Sequence, residues 1–241
     1  MKGMTKAMMT ETKMGIPLKP ESSLLTAFRT TLEALAELGN AEGSNLRPYA
    51  DASLAIFSAL DEPLQARVAT EAEAVLSLWT EAKREDGTIS NSKRLLWRFL
   101  SRTRLLPPAE LLDRIHDDWS IEIYNQEGLQ IFRSFSVFRL TSFTLEELLS
   151  IPWWERYARD TADAAFLQTY VQAYFGDGLR TISLLPVRPH VIEEIGSSEK
   201  LRIRYDGKLI APLFANDAVG ALLAAVDARI VSAETIHGEI E

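Results

Sequence analysis

DDWSIEIYNQEGLQIFRSFSVFRLTSFTLEELLSIPWW, residues 117–154, is the stretch whose reading decides the fold. Ile121 and Ile123, then Leu129 and Ile131 across Gln126-Glu127-Gly128, place apolar residues two apart, the period of strands with one buried face. From Phe135 the period changes, and Phe135, Phe138 and Leu140 gather on one helical side. Thr144 followed by Glu147 is a capping-box pattern that opens a short helix over 145–150, and Pro152 stops it.

Downstream, 160–175 carries Ala164, Leu167, Val171 and Tyr174 at helical spacing and ends at Gly176-Asp177-Gly178. Residues 182–195 are β-branched and apolar, with Pro186 and Pro189 marking an edge or a bulge. Leu201, Ile203 and Tyr205 alternate with Arg202 and Arg204 as a half-buried strand, and Asp206-Gly207 reads as a hairpin turn into 209–214. The last segment, 216–231, reads as a helix with Val219, Leu222, Leu223, Val226 and Ile230 on one face.

Upstream of the quoted stretch the pattern is helical. Residues 1–20 read as a flexible tail. Ser22 or Ser23 opens a helix with Leu25, Phe28, Leu32, Leu35 and Leu38 on one stripe, ended by Gly39-Asn40. Further helices are expected over 48–59, over 62–83 with Pro63 in its first turn, and over 91–102. Pro107-Pro108 disfavours helix before it and is the strongest boundary signal in the chain. The predicted organisation is thus a tail (1–20), a helical module (21–106), an α+β domain (107–216) and a C-terminal helix and tail (217–241).

The 241 residues carry a net charge of −8, unevenly spread. Residues 1–107 hold 14 Lys and Arg against 13 Asp and Glu, a sum of +1, which leaves −9 for the rest. An acidic second half disfavours nucleic acid, whose binding rests on phosphate neutralisation by basic side chains. The cluster Lys83, Arg84, Lys93, Arg94, Arg98, Arg102 and Arg104 is the exception, read as an exposed face pairing with the acidic half or with an acidic partner. No apolar run approaches the roughly 20 residues of a membrane span, so the cytoplasm is the expected compartment. The absence of cysteine excludes disulfides, thiolate metal sites and cysteinyl-flavin adducts.

Between Ile121 and Trp154 the aspartate-led first strand, the glycine turn and the T-x-E-E-L-L helix followed by paired tryptophans resemble the first half of a PAS sensory domain. The resemblance covers about residues 111–214. Ser134 stands where the family often has asparagine, and Ser142-Phe143 where it often has Gly-Tyr. The resemblance implies a five-stranded antiparallel sheet with helices inserted after strand two. Its concave face would hold a small ligand or be filled by side chains, with Phe132, Phe135, Phe138 and Tyr170 as the pocket candidates. Members commonly dimerise through flanking helices and signal to an output domain. No output signature occurs in this sequence, so a protein partner is expected to supply the output.

Other chemistry is weakly supported. His116, His190 and His237 lie far apart, without metal-ligand spacing, and His190 is only a remote candidate for haem. Glu146 and Glu147 read as solvated helix surface, with Glu147 occupied by its cap. Trp153 and Trp154, with Leu222 and Val226 of the terminal helix, are the interface candidates. The expectation is a cytoplasmic signalling or regulatory adaptor without enzymatic activity, acting by protein contact and forming a homodimer through its end helices. A ligand-free dimerisation scaffold is the alternative, and a small-molecule enzyme with an unrecognised site is third.

Overall fold

The computed structural model describes residues 23–186, 189–197 and 199–235. The tail expected over 1–20 lies outside them. The chain is α+β, a set of helices packed on one curled antiparallel sheet.

Four helices come first. Helix α1 (Ser23–Ala41) buries Phe28, Leu32 and Leu35, the heart of its predicted stripe. Of the second predicted helix only α2 (Ala55–Ala59) forms; Leu54 before it adopts φ 50, a left-handed conformation that breaks the helix. Helix α3 (Glu62–Asp86) is capped by the Asp61 side chain at the Leu64 N–H, carries Pro63 in its first turn, and ends on Gly87 at φ 75. Helix α4 (Ser92–Thr103) is capped by Asn91.

Much of the basic cluster pairs with acidic residues of the helical half, in place of the expected pairing with the acidic second half. Arg98, almost wholly buried on α4, reaches Glu81, Glu85 and Asp86 of α3 at 2.8, 2.6 and 2.9 Å. Arg102 also contacts Glu81, and Arg94 contacts Asp86. These are residues of adjacent antiparallel helices, so short chain separation decided the pairing.

After the short α5 (Leu111–Arg114), β1 (Ser120–Asn125) and β2 (Gln130–Arg133) form the expected hairpin. Then come α6 (Phe135–Arg139), α7 (Leu145–Ser150), α8 (Trp153–Arg156), the two-residue β3 (Tyr157–Ala158) and α9 (Thr161–Val171). Both halves of the Thr144–Glu147 capping box are present. A π-helical turn, Gln172–Gly176, follows α9. The chain closes with β4 (Ser183–Leu184), β5 (Pro189–Glu194), β6 (Glu199–Ala215) and β7 (Ala218–Thr235). The sheet order is β2-β1-β7-β6-β5-β3, with β4 also paired to β6.

Two predictions about the last quarter of the chain fail together. Residues 218–235 are the central strand of the sheet, paired to β6 along its length and, over Ala221–Val226, to β1 on the other side. A strand covered on both faces is apolar at nearly every position, so its periodicity cannot be told from that of a buried helix. Ala221, Leu223 and Ala225 are buried on the face of the main core, and Val219 and Leu222 on the other. The hairpin turn lies at Asn216-Asp217, where φ values of 48 and 65 are those of a two-residue primed turn. Asp206-Gly207 instead sits within β6, beside a register shift between Gly207 and Leu209. That bulge reverses the facing of β6: Leu201, Ile203 and Tyr205 point to one face, Leu209, Ala211 and Leu213 to the other.

The main core is continuous from the first helices to the sheet. Ile121, Ile123, Leu213 and Leu223 meet Leu35, Trp79 and Leu96 in one buried cluster. Each fully buried leucine contributes about 1.5–3 kcal/mol. The join at Pro107-Pro108 is tethered as well, since Leu106 and Phe214 exchange backbone hydrogen bonds at 2.9 and 2.8 Å. Glu146 is only 3% exposed and accepts the Ile56 and Phe57 N–H groups at 3.0 and 3.1 Å. It caps α2, which corrects its reading as solvated surface; its partner is 90 residues away in the chain.

Candidate ligand cavity

The face of the sheet opposite the main core holds a cavity of about 430 Å³. Its floor is built by alternation: Ile203 before the bulge, Ile210 after it, and Leu222 and Val226 of β7 project to this side. Its roof is α9 and the π-helical turn, through Leu167, Tyr170, Val171 and Phe175. Val171 is 39% exposed, so the roof is a thin cover. It is pinned by Tyr174, whose buried hydroxyl lies 2.9 Å from the Thr181 carbonyl, 3.0 Å from the Ile210 carbonyl and 2.8 Å from Ser183 Oγ.

One end of the cavity is polar. Glu122 and Tyr124 occupy the β1 positions that alternate with the core residues Ile121 and Ile123. The Tyr124 hydroxyl donates to Glu122 Oε2 at 2.7 Å, and Gln130 Nε2 donates to Glu122 Oε1 at 2.6 Å. Burial first, then the Glu122 carboxylate, push the Tyr124 hydroxyl well above its ordinary value, so it remains a donor. Arg156, 3% exposed, donates to the Leu148 carbonyl at 3.0 Å and to Gln130 Oε1 at 3.3 Å, while its Nε has no hydrogen-bond partner. The Arg159 guanidinium lies over the rings of Trp153 and Tyr157, 4.5 and 5.5 Å from their centroids.

Behind Arg156 lies a smaller void of about 120 Å³ that shares Arg156 and Trp153 with the larger one and is also lined by Gln130. Arg133, also bound to the Leu148 carbonyl at 2.8 Å, lines it. Burial first, then the charge of Arg156, lower the Arg133 guanidinium to about 10.

The sequence-derived pocket residues are separated by the sheet. Phe132, Phe135 and Phe138 lie in the main core, where Phe99 meets Phe132 at 4.8 Å and Trp79 meets Phe135 and Phe138 at 5.2 and 5.0 Å. Tyr170 alone of the four lines the cavity. Leu222 and Val226 form its floor instead of an outward helical face. Trp153 lines it with Nε1 bonded to the Gly128 carbonyl at 3.0 Å, and Trp154 is 48% exposed. His190 is buried on β5, stacked on Tyr205 at 5.0 Å, and is not among the cavity-lining side chains. His116 packs on Trp119 at 4.5 Å, and His237 lies outside the described residues.

Sequence reasoning missed Glu122, Tyr124, Arg156 and Arg159. The signal for the first two was present in the strict alternation Ile-Glu-Ile-Tyr, which assigns them to the second sheet face. Only the roof helix makes that face an interior. No family model matches the chain, and no curated protein matches it. Fold and cavity together define a coarse class: an α+β protein with a ligand-sized cavity between one sheet face and a thin helical cover. Among the described residues no helix is long and apolar enough to cross a membrane.

Proposed function

We propose that the chain is a PAS-like sensory and regulatory adaptor that binds a small molecule in the cavity under α9 and acts in the cytoplasm by touching another protein. The observation that carries this reading is the cavity itself. Its size lies within the 300–1,000 Å³ common for small-molecule sites, and it combines an apolar floor with a few convergent polar groups. The strand order β2-β1-β7-β6-β5 supports the family resemblance, because the two strands of the first hairpin lie at one side and the last strand beside the first. A ligand pressing on the roof would move α9 and the π-helical turn, the elements that carry the message outward.

The output passes to a partner protein, and self-association is one form of that contact. Most of the apolar stripes expected to form a dimer, on α1 and on 216–231, is interior in the chain, which leaves exposed side chains such as Trp154, Val191, Ile195 and Ile230 for partners. Sedimentation velocity at tens of micromolar tests for the homodimer.

Native mass spectrometry of the intact chain tests the sensory reading. A co-purified small molecule, present in wild type and absent from an Ala224→Phe variant whose new ring fills the floor, is the expected result. A wild-type protein that carries no adduct and binds no apolar fluorescent probe would overturn it in favour of the ligand-free scaffold.

A further inference from the structure

We infer that the cavity takes an amphipathic carboxylate, with an apolar body along the sheet floor and one anionic head against Arg156 and Arg159. This deepens the sensory reading and rests on it.

The inference starts from the cost of buried charge. A guanidinium removed from water requires a compensating partner, and an unpaired one is among the more expensive features a fold can hold. Arg156 is buried beside a second buried guanidinium, Arg133, and its Nε has no partner. Its recorded acceptors are neutral: the Leu148 carbonyl and Gln130 Oε1. Arg159 rests on two aromatic rings, which attract a cation yet leave its N–H groups available. Among the described residues neither arginine has a carboxylate within ion-pair distance, whereas Arg98 of α4 has three acidic partners. The chain therefore neutralises one buried arginine fully and leaves the cationic end of the cavity open.

The anions on the cavity wall do not fill that role. Glu122 already accepts from Tyr124 and Gln130, and Glu127 is exposed at the rim, where water screens it. A ligand carboxylate would supply the forked acceptor that guanidinium groups bind best. The rest of the cavity selects the body, because Ile203, Ile210, Leu222, Leu167 and Val171 offer it only apolar contact.

Isothermal titration calorimetry of the intact chain with octanoate, octanol and octylammonium separates the chemistries. Octanoate should bind at least about tenfold more tightly than either of the others, and Arg159→Gln should erase most of that preference while leaving octanol within about twofold. Arg159 is only partly buried and makes no hydrogen bond to the backbone among the described residues, so this variant should keep the fold; circular dichroism checks it. Arg156→Gln is the stronger probe of the head site, but Arg156 also holds the Leu148 carbonyl. Equal binding of the three compounds, or tighter binding of the cation, overturns the carboxylate and leaves the ligand site intact. Binding of none of them also overturns it, and the native mass spectrum with Ala224→Phe then decides the sensory reading on its own.

Discussion

Glu194 at the end of β5 accepts hydrogen bonds from both the backbone N–H and the hydroxyl of Ser142, in the loop between α6 and α7, 52 residues earlier in the chain. The same carboxylate accepts from the Thr141 hydroxyl at 2.6 Å and from the Leu201 N–H at 3.4 Å. A buried anion satisfied on both oxygens fastens the helical connection to the sheet edge.

Replacing Glu194 by alanine should therefore cost about 2–4 kcal/mol, because it strands several donors in a buried setting. Urea unfolding measures it. A loss below about 0.5 kcal/mol would show that water takes over those donors without penalty.

Glu146 gives a pH dependence of defined sign. Burial raises its carboxyl above the ordinary 4.5, and the Ile56 and Phe57 N–H groups only partly offset this. The folded state therefore holds the proton more tightly than the unfolded chain. Its stabilising contribution is complete below pH 4.5 and is lost as pH rises through the raised value. Glu42 has the opposite sign: burial raises it, but hydrogen bonds from Lys83, Thr88 and Ser90 outweigh that and lower it, so its contribution is lost as pH falls. Comparing stability against pH for wild type and Glu146→Gln should show a smaller decline above pH 4.5 in the variant. Superimposable slopes would refute the assignment.

Tyr174 tests the roof. Removing its hydroxyl in Tyr174→Phe unpairs a buried cluster of carbonyl, hydroxyl and N–H groups and should cost about 1–3 kcal/mol. Amide exchange should quicken first in the π-helical turn and α9, before β6 and β7. Uniform acceleration across the sheet would place Tyr174 in the global core instead.

The continuity of the core predicts the behaviour of fragments. A chain beginning near Arg104 keeps every strand but exposes Ile121, Ile123, Leu213 and Leu223, which the first helices cover. It should aggregate or unfold without cooperativity, whereas co-expression with residues 23–103 should restore a single transition. A soluble, cooperatively folding fragment would show that Pro107-Pro108 separates two independent units.

Residues 117–154 by themselves determined the hairpin, the capped α7 and the α+β character, because each rests on local physics: side-chain alternation, a glycine turn, a hydroxyl reaching the N–H three residues on. The same holds for α1, α3 and α4. Tertiary structure decided what local pattern leaves degenerate. Residues 218–235 are a strand because β6 pairs them along their length and β1 pairs Ala221–Val226 on the other side, and the apolar run covered there on both faces carries no period of its own. Glu146 and Glu194 are buried carboxylates held in place only because donors 90 and 52 residues away, respectively, come to them. The cavity was illegible for the same reason: Glu122, Tyr124, Arg156 and Arg159 become neighbours when α9 closes over the second face of the sheet, a contact between distant segments that no spacing in the sequence records.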